Sequence, residues 1–174
     1  MPRHTLIILM GISETTKATL GKIILESHDD AKLISLEKTK QRYSKLPNDD
    51  NILDKYHQDI SIALKNYEYV VVDGDYLSSR ARDNFFNSIS ILPEASVIGV
   101  WIDSSLTATL KSNESAPEGL RKPDSLVREM FKIKAAPSGN ERFDKLIYLN
   151  IDDNDSFAQN TQKITNVIEQ LKTI

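Results

Sequence analysis

Five short apolar runs, rich in β-branched residues, punctuate the chain: TLIILM (5–10), AKLISL (31–36), EYVVVD (68–73), ASVIGVWI (95–102) and DKLIYLNI (144–151). Near-continuous apolar runs of this length predict strands buried on both faces of a parallel sheet. Between them the period changes. From 17 to 27, Leu20, Ile23 and Ile24 fall on one side, and from 49 to 67, Ile52, Tyr56, Ile60, Ala63 and Leu64 recur at steps of three and four. Both segments predict amphipathic helices. A third helix is predicted from Ser78 to Ile91, carrying Phe85 and Ile89 and closed by Pro93, and a fourth runs from Pro123-Asp124 to about Lys134. The segment from Ser156 onward places Phe157, Thr161, Ile164, Val167, Ile168 and Leu171 on one face, with Asp155 or Ser156 as its N-cap.

Strands alternating with helices predict a doubly wound α/β domain, because parallel neighbours need crossovers and the crossover helices cover both sheet faces. Ligands in that architecture bind beyond the carboxyl ends of the strands. The polar stretch KSNESAPEGLRKPD (111–124), with two prolines and a glycine, breaks the alternation and reads as a lid. With 174 residues and no internal repeat or linker, residues 1–174 are expected to form one domain.

Composition narrows the chemistry. The chain is 40% hydrophobic and 27% charged, and no apolar run is long enough to span a bilayer, so no membrane partner is expected. The absence of cysteine removes disulfides, thiolate catalysis and Cys-based metal sites, and fits a cytoplasmic protein. His4, His28 and His57 have no metal-ligand spacing, so no metal is assigned to protein side chains. The formal charge of -3 does not favour nucleic acid as a partner.

The stretch with the most chemistry is LIILMGISETTKATLGKII (6–24). Apart from two changes it follows the phosphate-loop pattern G-x-x-x-x-G-K-[ST], in which backbone N–H groups and a helix N-terminus face an anion and a lysine adds mobile positive charge. Gly11 and Lys17 keep their places, and Thr15, Thr16 and Thr19 are further candidate phosphate contacts. Glu14 and Thr16 stand where glycine would be easiest, and Ala18 stands where a hydroxyl normally binds magnesium. The ordinary alternative is that Gly11 merely lets the chain turn and Lys17 is a solvated helix residue.

Taken in order, the segments resemble the P-loop kinases of the polynucleotide-kinase and zeta-toxin-like group over nearly the whole chain. ISLEKTK (34–40) is similar to that group's I-S-x-D-x-x-R, VVVDGDYLSSRARDNFF (70–86) to its V-V-x-D with arginines beyond, and WIDSSLTATLKSNESAPEGLRKPDSLVREMF (101–131) to its fourth strand, lid and following helix. The resemblance implies a three-layer P-loop kinase fold: a five-stranded, mainly parallel sheet with helices on both faces and a short lid. It implies ATP or GTP as phosphoryl donor, with Lys17 on the β/γ phosphates and Thr19 near the inner phosphate. Glu37 would be the base towards an unknown hydroxyl acceptor, and Lys40, Asp73 and Arg80 would position that acceptor. The acceptor would be a nucleic-acid end, a nucleotide or a small metabolite. Mg2+ would accompany the nucleotide, although Ala18 lacks the usual ligand. Ser112 and Ala116 fall near the places of the lid arginines. These departures imply an alternative, a catalytically impaired pseudokinase acting as nucleotide sensor or interaction module. For Glu37 and Lys40 the ordinary reading is an exposed first helical turn, and for Arg80 and Arg82 solvated helix charge.

Overall fold

The computed structural model describes residues 4–151 and 157–173, with the Phe157 side chain excepted. All five apolar runs become strands of one sheet: β1 (Thr5–Met10), β2 (Ala31–Ser35), β3 (Tyr69–Asp73), β4 (Ser96–Ser104) and β5 (Lys145–Ile151). The sheet is parallel throughout, in the order β2-β3-β1-β4-β5. The helices are α1 (Glu14–Glu26), α2 (Leu36–Arg42), α3 (Asp49–Asn66), α4 (Ser79–Ser88), α5 (Leu106–Glu114), α6 (Asp124–Ile133) and α7 (Phe157–Lys172). The expected N-cap of α7, Asp155 or Ser156, lies outside the described residues.

β1 pairs with β3 on one side and β4 on the other, so its six residues are all buried. Alternation then sends successive side chains to opposite cores. Leu6, Ile8 and Met10 join Tyr56, Ile60 and Leu64 of α3, Phe85 and Phe86 of α4, and Val127 and Met130 of α6. Ile7 and Leu9 join Leu20 and Ile24 of α1 and Val167, Ile168 and Leu171 of α7. This is the three-layer α/β arrangement expected from the sequence. β2 and β5 form its two open edges.

Several boundaries differ from the sequence reading: α4 ends at Ser88 instead of Ile91, and one other difference matters for the site. The helix expected from Lys17 begins three residues earlier, at Glu14. Ser13 caps it by accepting the Thr16 N–H at 3.3 Å, and the acidic Glu14 sits favourably in the first turn of the helix dipole. Glu14 and Thr16 are also better helix residues than the glycines they replace. The same substitutions that thin the loop motif therefore lengthen the helix into the loop. The lid is also shorter than expected, because Lys111–Glu114 belong to α5 and Glu118–Leu120 form a 3-10 turn.

Candidate functional site

The turn from β1 into α1 begins at Gly11, whose φ of +142 is a conformation that side chains rarely adopt. A Cβ there would lie 2.5 Å from the Ile102 carbonyl oxygen, so only glycine fits. Its N–H donates to the Asp75 carbonyl at 3.2 Å, which ties the turn to the end of β3. Beyond it the chain turns directly into α1. The Thr16 N–H goes to the Ser13 hydroxyl and the Lys17 N–H to the Ser13 carbonyl at 3.1 Å. Two amides that an open phosphate loop would aim at an anion are thus used inside the helix.

Lys17 is completely buried. Its Nζ donates to the Gly74 carbonyl at 3.0 Å and to Glu14 Oε1 at 3.3 Å, and pairs with Asp73 Oδ1 and Asp75 Oδ1 at 3.5 Å each. Burial alone would push the ammonium down, but Asp73, Glu14 and Asp75 outweigh it and hold it above its ordinary value. Glu14 Oε1 also accepts from Lys122 Nζ at 2.8 Å. Burial raises the Glu14 carboxyl, and Lys17 with Lys122 more than offset this, leaving it below the usual carboxylate range. Asp73 goes the other way: burial lifts it to about 6, Lys17 pulls it back only in part, and Glu14 and Asp75 add to the rise. Its Oδ1 has the Lys17 ion pair but no hydrogen-bond donor. Two ammonium groups therefore face three carboxylates, one of which protonates near neutrality.

Behind this cluster Tyr56 donates its hydroxyl hydrogen to the Asp73 carbonyl at 3.3 Å, and the Tyr56 and Tyr76 hydroxyls touch each other. Burial pushes both phenols up, so they act as neutral donors. Tyr76 has a φ of 47, which bends the chain after β3 so that its ring returns over the Asp73-Gly74 corner.

The lid closes over the loop. Ser112 Oγ lies 3.1 Å from Ser13 Oγ, and Lys122 reaches Glu14. Lys122 is aimed by Asn113, which accepts its N–H at 2.9 Å and donates to its carbonyl at 2.7 Å. Arg121 bonds the Ala116 carbonyl at 3.2 Å. The cavity left between Ser13, Glu14, Thr15, Ser112 and Lys122 is about 10 Å³, room for about one water.

The remaining sequence-predicted residues scatter. Thr15, Ala18 and Thr19 are exposed, and the Thr19 hydroxyl donates to the Thr15 carbonyl at 2.9 Å. Thr16 is half-buried, with its hydroxyl 3.0 Å from that of Ser13. Glu37 and Lys40 lie on α2 and pair with each other at 3.2 Å, with no contact to the Lys17 cluster. Arg80 is exposed at the start of α4, beside a shallow groove it shares with Arg142. Arg82, two residues on, is buried: its guanidinium forks onto Glu141 at 2.6 and 3.2 Å and donates to the Tyr76 and Ala135 carbonyls at 2.9 Å. Sequence reasoning missed Glu14 and Asp75 as partners of Lys17, and Lys122 as a second partner of Glu14. The i,i+3 spacing of Glu14 and Lys17 and the D-G-D at 73–75 were the signals available.

Magnesium does not fit the usual place. Ala18 offers no oxygen and faces solvent, and the nearby carboxylates of Glu14 and Asp73 are held by ammonium groups. Among the described residues no group of three or more His, Asp or Glu side chains could hold a metal ion, and no helix is long and apolar enough to cross a membrane.

The sheet order, the β1–α1 turn and the lid define the fold of the P-loop kinases. Solved structures of that fold cover the chain almost end to end. A gluconokinase from Sinorhizobium meliloti 1021 is 20% identical with a TM-score of 0.59, over 99% of this chain and 97% of that one. Chaetomium thermophilum Kti12, solved in complex with ADP-AlF3, is 12% identical with a TM-score of 0.62, over 94% and 97%. A sugar kinase from Janibacter sp. HTCC2649 is 13% identical with a TM-score of 0.60, over 99% and 95%. No protein-family model matches the sequence, and no curated protein sequence does.

Proposed function

We propose that this chain is a P-loop pseudokinase, related to the polynucleotide-kinase and zeta-toxin-like group, in which a phosphate site has become a structural ion-pair cluster and the fold serves sensing or interaction. The observation that carries this is the enclosure of Lys17. For a triphosphate to enter, Lys17 would have to leave three carboxylates and a carbonyl. The first turn of α1 would have to unwind to free its amides, and the lid would have to release Glu14 and Ser13. Glu14 would still stand in the loop, opposing the phosphate charge. Ser112 and Ala116 supply none of the cationic stabilisation that is worth about a thousandfold or more in phosphoryl transfer.

Glu37 favours a second reading, transfer from ATP or GTP to a hydroxyl acceptor. It sits just beyond the carboxyl end of β2, where ligands bind in this architecture, and among the described residues its only ion pair is with the exposed Lys40. One set of measurements separates the two. Titration calorimetry with ATP and GTP, with and without magnesium, is run beside labelled-phosphate transfer to 5′-hydroxyl oligonucleotides, nucleosides and sugars. The pseudokinase reading expects no transfer above that of heat-denatured protein. It also expects nucleotide binding to appear or tighten in a Glu14→Gly/Thr16→Gly/Ala18→Ser variant, where the amides and the hydroxyl return. Sustained turnover by the unaltered chain overturns it.

A further inference from the structure

A charged recess outside the loop runs along the free edge of β2, a groove of about 410 Å³. Four consecutive strand residues, Lys32, Leu33, Ile34 and Ser35, line it. Successive side chains of a strand point to opposite faces, so four in a row border one groove only when it follows the strand's edge. Among the described residues β2 pairs with β3 alone, so its other side has no strand partner. The walls are supplied by α2 and α3, and the half-exposed Ile62 gives the groove an apolar shoulder.

Its charge opposes that of the whole molecule. Lys32, Lys38 and Arg42 border the groove against the single carboxylate of Asp59, in a chain of net charge -3. Among the described residues none of the three cations has an ion-pair partner. Lys32 lies over the Tyr67 ring and Arg42 over the Tyr43 ring, both exposed. Among the described residues all three cations are thus without an ion-pair partner, Lys32 and Arg42 are positioned by rings, and all three line the groove.

We propose that this edge is a docking site for an acidic, extended segment of a partner protein, which adds as a sixth strand beside β2. Backbone hydrogen bonds to the edge would supply the pairing. Carboxylates on the face of the segment turned towards α3 would meet Lys32, Lys38 and Arg42 beside Ile62, and apolar side chains on the opposite face would meet Leu33. The apolar shoulder and the free ladder favour a polypeptide over a nucleic-acid backbone, which needs cations but no strand edge. β2 is five residues long, so it pairs with a segment of similar length, about 16 Å of extended chain. The site lies on a different face from the Lys17 cluster and its test contains no nucleotide, so it stands separately from the reading of the loop.

The probe is a fluorescein-labelled peptide of alternating Glu and Val, eight residues long, titrated with the full chain and followed by anisotropy. A version N-methylated at alternate residues removes the ladder donors, and a thymidine octamer serves as the nucleic-acid comparison. Binding of the unmodified peptide is expected, together with slowed amide exchange at 31–35. The affinity should fall about tenfold or more in Lys38→Glu/Arg42→Glu, whose side chains are exposed, and by a similar factor with the N-methylated peptide. No binding, equal binding of the N-methylated peptide, or tighter binding of the octamer each overturns the proposal. Circular dichroism of the double variant confirms that its fold is intact before the comparison is made.

Discussion

At the scale of single residues, Lys17 is held by Glu14, Asp73, Asp75 and the Gly74 carbonyl. Removing one partner of a buried ion-pair cluster leaves uncompensated charge, so Lys17→Met should cost about 3–5 kcal/mol at neutral pH in urea denaturation. The pH dependence follows from the three shifts. Asp73 is held at about 6 against an ordinary 3.8, so between those values the folded state binds a proton that the unfolded chain does not, and this group stabilises the fold as pH falls through that window. Glu14 lies below its ordinary 4.5, so its contribution is present above that value and is lost as pH falls further. Lys17 is raised, so its contribution is complete below 10.5 and fades only in alkali. Within this cluster stability should therefore be greatest in mild acid, while His57, which burial holds below its ordinary 6.5, works against it as pH falls through that value. Without Lys17, Asp73 loses its attracting cation and protonates still more readily, so the deficit of Lys17→Met should shrink from about pH 8 to about pH 5. A deficit that stays constant would mean that Asp73 is not coupled to Lys17.

At the scale of elements, α4 shows how two neighbouring arginines divide. Arg82 ties α4 to the segment before β5 and to the turn after β3, through four hydrogen bonds from a fully enclosed guanidinium, while Arg80 faces solvent. Arg82→Lys keeps the charge but loses the fork onto Glu141, and should cost about 2 kcal/mol or more; Arg80→Ala should stay within about 0.5 kcal/mol. Thermal melts of the two variants check the contrast. Nothing in SSRARD distinguishes these positions, because the difference arises from α4 packing against residues some sixty positions away, Glu141 among them. The strands were legible for the opposite reason: β1 and β3 carry their burial in their own composition, and the alternation of strand and helix leaves little freedom of fold. The loop was half legible. Gly11 and Lys17 marked its position, but the early start of α1 depends on the Ser13 cap and on Glu14 and Thr16 as helix formers. Lys122, more than a hundred residues from Glu14, lies in the lid stretch read from the sequence, but no spacing signalled its contact with Glu14. Its contact makes a further expectation testable: Lys122→Ala should unlatch the lid, speeding amide exchange across 111–123 while leaving that of β1 and β3 unchanged.

At the scale of the whole molecule, β1 decides whether the two cores can behave separately. Its side chains alternate between the layer of α3, α4 and α6 and the layer of α1 and α7, while its backbone pairs on both sides. Damage to either layer therefore reaches the other through a strand whose residues are all enclosed. The single tryptophan, Trp101, belongs to the first layer and is 3% exposed, so its fluorescence reports there. Ile7 belongs to the second layer. Ile7→Ala removes side-chain volume from that layer alone and should cost about 2–5 kcal/mol. If the chain unfolds as one unit, the Trp101 fluorescence midpoint in urea should move as far as the far-ultraviolet helix signal, although Trp101 lies on the opposite face of the sheet from the substitution. A Trp101 transition that keeps its midpoint while the helix signal shifts would show instead that the two layers unfold independently.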